Sequence, residues 1–178
     1  MLFEPGFWNK PPLSKAANVV CKLIDPPIFN MVNITNDKIK EISQNLYAGM
    51  RSFYNKETGD IKILPDNQSD MYLDQDTWAD DIEEIDSEFK KYIVFEVMPS
   101  FESFKIMEGF IEEIDNKKLQ NRLINALNRS KPFRNFKYEI DNSGEYRQMW
   151  FDFKGQKYFE WVKDQVDAMN FTVEENEK

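Results

Sequence analysis

Tyr92-Ile-Val-Phe-Glu-Val-Met-Pro-Ser100 divides this chain into two kinds of sequence. Its first seven residues are rich in β-branched and aromatic side chains, which suit a pleated strand. After Pro99 the chain turns helical. Ser100 is expected to cap a helix with Phe101, Phe104, Met107, Ile111 and Ile114 on one face. Asp115 or Asn116 caps the next, with Leu119, Leu123, Ala126 and Leu127 inward. Ser130 caps a third, over 131–140. Pro132 sits in its first turn, where a missing N–H costs nothing, and Phe133, Phe136 and Ile140 point inward. Ser143 starts the last helix, from about Glu145 to Asn170. Its apolar phase runs Tyr146, Met149, Trp150, Phe153, then slips and resumes at Phe159, Val162, Val166 and Met169. Gly155 lies at the slip, which predicts a kink or break there.

Upstream the signals differ. Thr35 or Asn36 can cap a helix carrying Ile39, Ile42, Leu46 and Met50, ended by Gly49. Arg51-Ser-Phe-Tyr54 and Ile61-Lys-Ile-Leu64 flank Asn55-Lys-Glu-Thr-Gly-Asp60, a hairpin turn in which Gly59 supplies a positive φ. Pro65 stops the second strand, and residues 66–88 read as a loop passing into a short helix near Thr77–Phe89. Strands followed by helices is the α+β pattern: a small antiparallel sheet, the hairpin plus one further strand, packed against a C-terminal set of about four helices. Phe104, Met107, Leu123, Phe133, Phe136 and Trp150 are the expected core. Residues 33–172 then form one α+β domain, preceded by a proline-rich arm over 1–32, with at most a short strand at Asn18–Leu23, and followed by an acidic tail over 173–178.

Composition narrows the chemistry. A hydrophobic fraction of 41% with 15 phenylalanines implies a packed globule. Cys21 is the lone cysteine, so the chain holds no internal disulfide, which fits a reducing compartment. The start carries Glu4 and Pro5 where a secretion signal needs positive charge and an apolar run, and no stretch reaches the 20 or so apolar residues of a membrane helix. The expected location is the cytoplasm. There is no histidine, so Ser-His-Asp triads, Cys-His pairs and His-based zinc or iron sites are excluded.

Several segments carry a likeness. The run Asn33-Ile-Thr-Asn-Asp-Lys-Ile-Lys-Glu-Ile42, then Phe53-Tyr-Asn-Lys-Glu-Thr-Gly-Asp60, resembles the opening of an uncharacterised bacterial protein family of the UPF series. The resemblance continues through Tyr92, Pro99-Ser100, Met107-Glu-Gly-Phe110, Pro132-Phe-Arg-Asn-Phe-Lys137 and Trp150-Phe151, covering about residues 33–169. This chain has Asn135 where members of that family often carry a second basic residue. The resemblance supports the fold and implies no reaction, ligand or catalytic residue.

Charge is segregated along the chain. Residues 66–88 hold ten acids and no Lys or Arg; residues 116–138 hold seven bases and no acid, within a net charge of −9. Each block reads either as solvated surface or as a docking face, since a single-sign field steers an opposite partner. Asp74-Gln-Asp76 begins like a calcium loop, but Ala79 stands where Gly is required and Ile85 where a bidentate Glu belongs. The adjacent pairs Glu83–Glu84, Glu112–Glu113 and Glu174–Glu175 point about 100° apart on a helix, unlike acid–base pairs that flank a substrate. Aromatics over 150–161 interleaved with Lys154 and Lys157 raise base stacking, against a core face for Trp150 and Phe153.

The favoured reading is a non-enzymatic macromolecule-binding module with a protein partner and no cofactor. Arg134 and Lys137 are its first contact residues, supported by Arg122, Arg129 and Lys131. The alternatives are a histidine-free carboxylate enzyme, with or without a divalent cation, and a weak nucleic-acid binder through the 116–138 bases.

Overall fold

A computed structural model describes residues 32–66 and 75–176. In chain order it contains α1 (Asn36–Tyr47), β1 (Met50–Asn55), β2 (Ile61–Pro65), α2 (Gln75–Ser87), a 3₁₀ turn at Phe89–Lys91, β3 (Tyr92–Phe95), α3 (Ser100–Glu112), α4 (Lys117–Leu127), α5 (Pro132–Asp141) and α6 (Glu145–Asn176). The proline-rich arm, with the strand expected at Asn18–Leu23, lies outside the described residues, and so does 67–74.

The strands make one antiparallel sheet in the order β2-β1-β3, with Phe53 opposite Lys62 on one side and Val94 on the other. The fold class is α+β. Asn55 shapes the hairpin turn, its Oδ1 accepting from Glu57 N (2.9 Å) and Thr58 N (3.2 Å). Gly59 supplies the positive φ, +76°. β3 is shorter than the sequence implies. After Phe95 the ladder stops, and Glu96 receives Arg51 in a two-pronged pair at 2.7 and 2.6 Å. At α1, Thr35 Oγ1 accepts from Lys38 N (3.4 Å), and Ile39, Ile42 and Leu46 are buried. Gly49, at φ +83°, turns the chain so that Met50 opens β1 and is not the last helical position.

Side chains alternate across a strand, so the two sheet faces enter different clusters. Tyr54 and Phe95 pack with Ile39, Ile42 and Leu46 of α1 and with Tyr158, Val162 and Val166 of α6. Phe53 and Tyr92 face the other way, onto Ile85 of α2. A separate core holds Met107, Phe110 and Ile111 of α3, Leu119 and Leu123 of α4, Phe136 and Ile140 of α5, and Trp150 of α6. The Trp150 ring meets Phe136 at 4.8 Å and Phe110 at 5.2 Å, both edge to face.

Five expectations need correction. Phe101 is 61% exposed because it lies about 120° round α3 from Met107 at 100° per residue; Phe110 takes the core position instead. Phe133 is 44% exposed and Phe104 only half-buried, their rings meeting edge-on at 6.3 Å on the margin of the core. Ser100 is the first helical residue behind Pro99, with no side-chain cap, while Asn116 caps α4 as expected through Lys118 N and Leu119 N. Lys131, at φ 59°, holds the cap position of α5 that Ser130 was expected to fill.

The phase slip in the last helix has a different cause from the one the glycine suggested. α6 continues through Gly155 and past Asn170 without a break. Trp150 serves the helical core, whereas Tyr158, Val162 and Val166 serve the sheet core. Val162 is twelve residues on from Trp150, a rotation of about 120°. The apolar stripe therefore steps round the helix as it passes from one core to the other. No helix among the described residues is long and apolar enough to cross a membrane.

Two substitutions test this packing. Phe136→Ala should lower unfolding free energy by about 3–5 kcal/mol, read by urea denaturation; an unchanged midpoint would contradict the core assignment. A Cβ at Gly155 meets nothing within 4 Å, so Gly155→Ala should stabilise the helix by about 0.5–1 kcal/mol. A loss of stability would mean that the glycine is required there.

Candidate functional site

The basic block divides on folding. The turn between α4 and α5 places Lys131 in the left-handed region, which costs a side-chain-bearing residue on the order of 1 kcal/mol. Asn135 secures the turn: its Nδ2 donates to Ser130 O at 2.9 Å, and its backbone N donates to Lys131 O at 3.1 Å. The result is a cleft of about 700 Å³ lined by Arg129, Lys131, Arg134, Asn135 and Tyr138, among others. Arg129, Lys131 and Arg134 make no ion pair among the described residues.

The other two predicted contact residues are diverted. Arg122 pairs with Glu139, and Lys137 pairs with Asp141, which also receives Arg147 Nε at 3.3 Å. Lys137 first, and then Arg147, holds the Asp141 carboxyl below the usual carboxylate range. Three of the five candidates thus come together. Tyr138, 67% exposed, was missed; it lies four residues after Arg134, on the same flank of the helix.

The acidic block is partly structural. Lys62 of β2 reaches Asp81 at 2.6 Å and Glu84 at 2.8 Å on α2, and the Tyr92 hydroxyl donates to Glu84 at 3.1 Å. These contacts flank Ile85, which is buried against the sheet. Hydrogen bonds from Lys62 and Tyr92 pull the Glu84 carboxyl below its ordinary value, and the two carboxylates push the Lys62 ammonium above its own. Glu88 pairs with Lys91 at 2.9 Å. Asp80, Glu83 and Asp86 remain exposed. Beside them Trp78, Ile82, Leu64 and Phe89 border a groove of about 250 Å³. Asp74 lies outside the described residues. No three carboxylates among the described residues are grouped so as to hold a metal ion.

Several aromatic residues of α6 are already in use. Trp150 and Tyr158 are buried. Arg147 covers Phe151 at 4.7 Å, Lys154 covers Tyr47 at 4.0 Å and Lys157 lies 5.5 Å from Phe153. Cations stacked on rings in this way take the faces on which bases would stack.

A model of the Uncharacterised protein family (UPF0158) matches residues 52–177. The match runs from within β1 to the end of α6 and leaves out α1, so the likeness at Asn33–Ile42 lies outside it. A UPF0158 protein of Pseudomonas aeruginosa is 24% identical over 83 residues, 47% of this chain and 54% of that protein. The chain therefore matches about half the length of that relative. No solved structure matches.

The clamp on α2 has a pH signature. Glu84 titrates lower folded than unfolded, so its contribution is present above the unfolded value, about 4.3, and is lost as pH falls through the folded one. Acidification from about pH 6 to pH 3 should therefore loosen α2, seen as lower hydrogen-exchange protection factors over residues 80–87, each rate being compared with the intrinsic amide rate at the same pH. Glu84→Gln should flatten that dependence; an equally steep loss in both proteins would remove Glu84 from the clamp.

Proposed function

This chain belongs to the uncharacterised protein family UPF0158, and from that premise we propose that it is a non-enzymatic binding module whose partner is a protein presenting an acidic surface to the cleft between α4 and α5. One observation carries this reading: Arg129, Lys131 and Arg134 converge on one cleft without ion-pair partners among the described residues, while Arg122 and Lys137 nearby are paired. Arginine forks take carboxylates in two-bonded geometry, and an exposed tyrosine at the rim adds a rigid amphipathic contact of the kind enriched at interfaces. The chain's net charge of −9 opposes an acidic partner at long range, so the attraction is local and short-ranged. The same cations would take phosphate, but Tyr138 is the single ring lining the cleft among the described residues, and one ring makes no track of successive stacked bases, which favours a protein over a nucleic acid.

The test compares wild type with Arg129→Glu/Arg134→Glu as affinity baits in extract from the native organism, with Lys137→Gln as the control at a paired site. A protein retained by wild type and the control but lost by the double reversal is the expected outcome. Exposed substitutions move stability by only about 0.5 kcal/mol, whereas the association rate with that protein should fall about 10-fold or more at low salt and less at high salt. Equal retention by all three baits would overturn the reading. Binding of a labelled single-stranded oligonucleotide by the same residues, with no protein retained, would replace it by nucleic-acid recognition.

A further inference from the structure

A protein docking in the α4–α5 cleft must offer carboxylates, and this chain presents them on α2 beside an apolar recess. Asp80, Glu83 and Asp86 are exposed and make no ion pair among the described residues. Spaced three residues apart, they form an oblique row about 9 Å long on the helix. Asp81 and Glu84, which Lys62 clamps to the sheet, are not part of that row.

The row ends at the recess. Asp86 shares the walls of the groove of about 250 Å³ with Trp78, Ile82 and Phe89, and both Ile82 and Phe89 are exposed although large and apolar. On the other face Arg129, Lys131 and Arg134 equally lack ion-pair partners among the described residues, and Tyr138 stands exposed at the rim. Three carboxylates and an apolar groove thus match three cations and a ring. Within one molecule the two faces serve different cores, α2 against the Phe53–Tyr92 side of the sheet and α4 with α5 in the helical core. No ion pair among the described residues joins them.

We infer that the partner of the cleft is a second copy of this chain, bound through its α2. The inference rests on the binding role assigned to the cleft and names its occupant. Arg129 and Arg134 take carboxylates of the row as two-pronged pairs, and the Tyr138 ring packs beside Ile82 and Phe89 with its hydroxyl left in water. Each copy carries one face of each kind, so the contact is made twice in a closed pair or once per neighbour in a head-to-tail chain. Two copies at a net charge of −9 repel each other. Screening confines that repulsion to about 8–10 Å at moderate ionic strength, and exposed ion pairs are individually weak. The association is therefore reversible and depends on concentration.

Sedimentation velocity of the full chain, from micromolar to millimolar concentration at moderate salt, tests this with two variants. One is Arg129→Gln/Arg134→Gln in the cleft; the other is Asp80→Asn/Glu83→Gln/Asp86→Asn on α2. Wild type should shift from monomer to dimer or larger as concentration rises, and each variant alone should need about tenfold more protein for the same shift. The α2 variant lies three charges closer to neutral than wild type, so added repulsion cannot explain its loss of association. An equimolar mixture of the variants holds one intact face of each kind, on different molecules. At a concentration where neither associates alone, it should form a dimer and nothing larger, which also shows that both variants fold. Wild type monomeric at every concentration would overturn the inference, as would association undiminished in both variants or a mixture no more associated than its components. Retention of a different protein from extract through Arg129 and Arg134, with pure wild type monomeric, would overturn it while leaving the cleft a protein-binding site. Equal retention by all the extract baits as well would take the binding reading with it.

Discussion

α6 must satisfy two cores with one unbroken rod, and most of the architecture follows from that demand. Its first half contributes Trp150 to the core of α3, α4 and α5; its second half contributes Tyr158, Val162 and Val166 to the core between α1 and the sheet. Ile106 of α3 is partly buried against both clusters, so the two are joined by side chains as well as by the helix. A close-packed interior transmits displacement instead of absorbing it. A change in the pitch or register of α6 at one core therefore moves apolar side chains at the other. This coupling makes the two cores one cooperative unit, although only a single element carries most of the link.

The sheet imposes a second demand. Three strands alternate their side chains to both faces, and each face of so small a sheet needs an apolar cover. α1 and α6 cover one. The other is given to a helix so acidic that its packing rests on a narrow apolar contact at Ile85 plus the charges of Lys62 and the hydroxyl of Tyr92. Exposed ion pairs of this kind are individually weak, about 0–1 kcal/mol. That leaves α2 the most lightly held element whose contacts are described, and the one most sensitive to salt and acid.

Much of this was legible in local residues. The hairpin could be read because Asn55 and Gly59 dictate a turn by their own chemistry, and Asn116 because an N-cap is a contact between near neighbours. Buried Met107, Leu123, Phe136 and Trp150 followed from helical spacing. The reading failed where the deciding partner was distant in sequence. Phe101 and Phe133 look apolar enough for a core, but nothing in spacing shows that the core ends before it reaches them. Gly155 suggested a kink because periodicity assumes one buried face per helix, whereas α6 has two. The basic block was visible as a run of charge, yet its division into free and paired members depends on Glu139 and Asp141, which lie just past its end. The acidic block gave no sign that Lys62 would claim Asp81 and Glu84, because a lysine on a strand some twenty residues away leaves no trace in the helix's own sequence.

The separation of charge also has a rotational effect. Residues 77–88 carry six carboxylates on and just beyond one side of the sheet, whereas the unpaired cations gather at the turn between α4 and α5, and no ion pair among the described residues joins the two groups. Separated groups of opposite sign exert torque as well as net attraction or repulsion. Near a negatively charged surface the turn between α4 and α5 is drawn in while α2 is pushed off, so these two groups bias the molecule's orientation before contact. That torque weakens over about a Debye length, roughly 8–10 Å at moderate ionic strength, so orientation is selected during the last stage of approach, when a misaligned encounter would otherwise be lost.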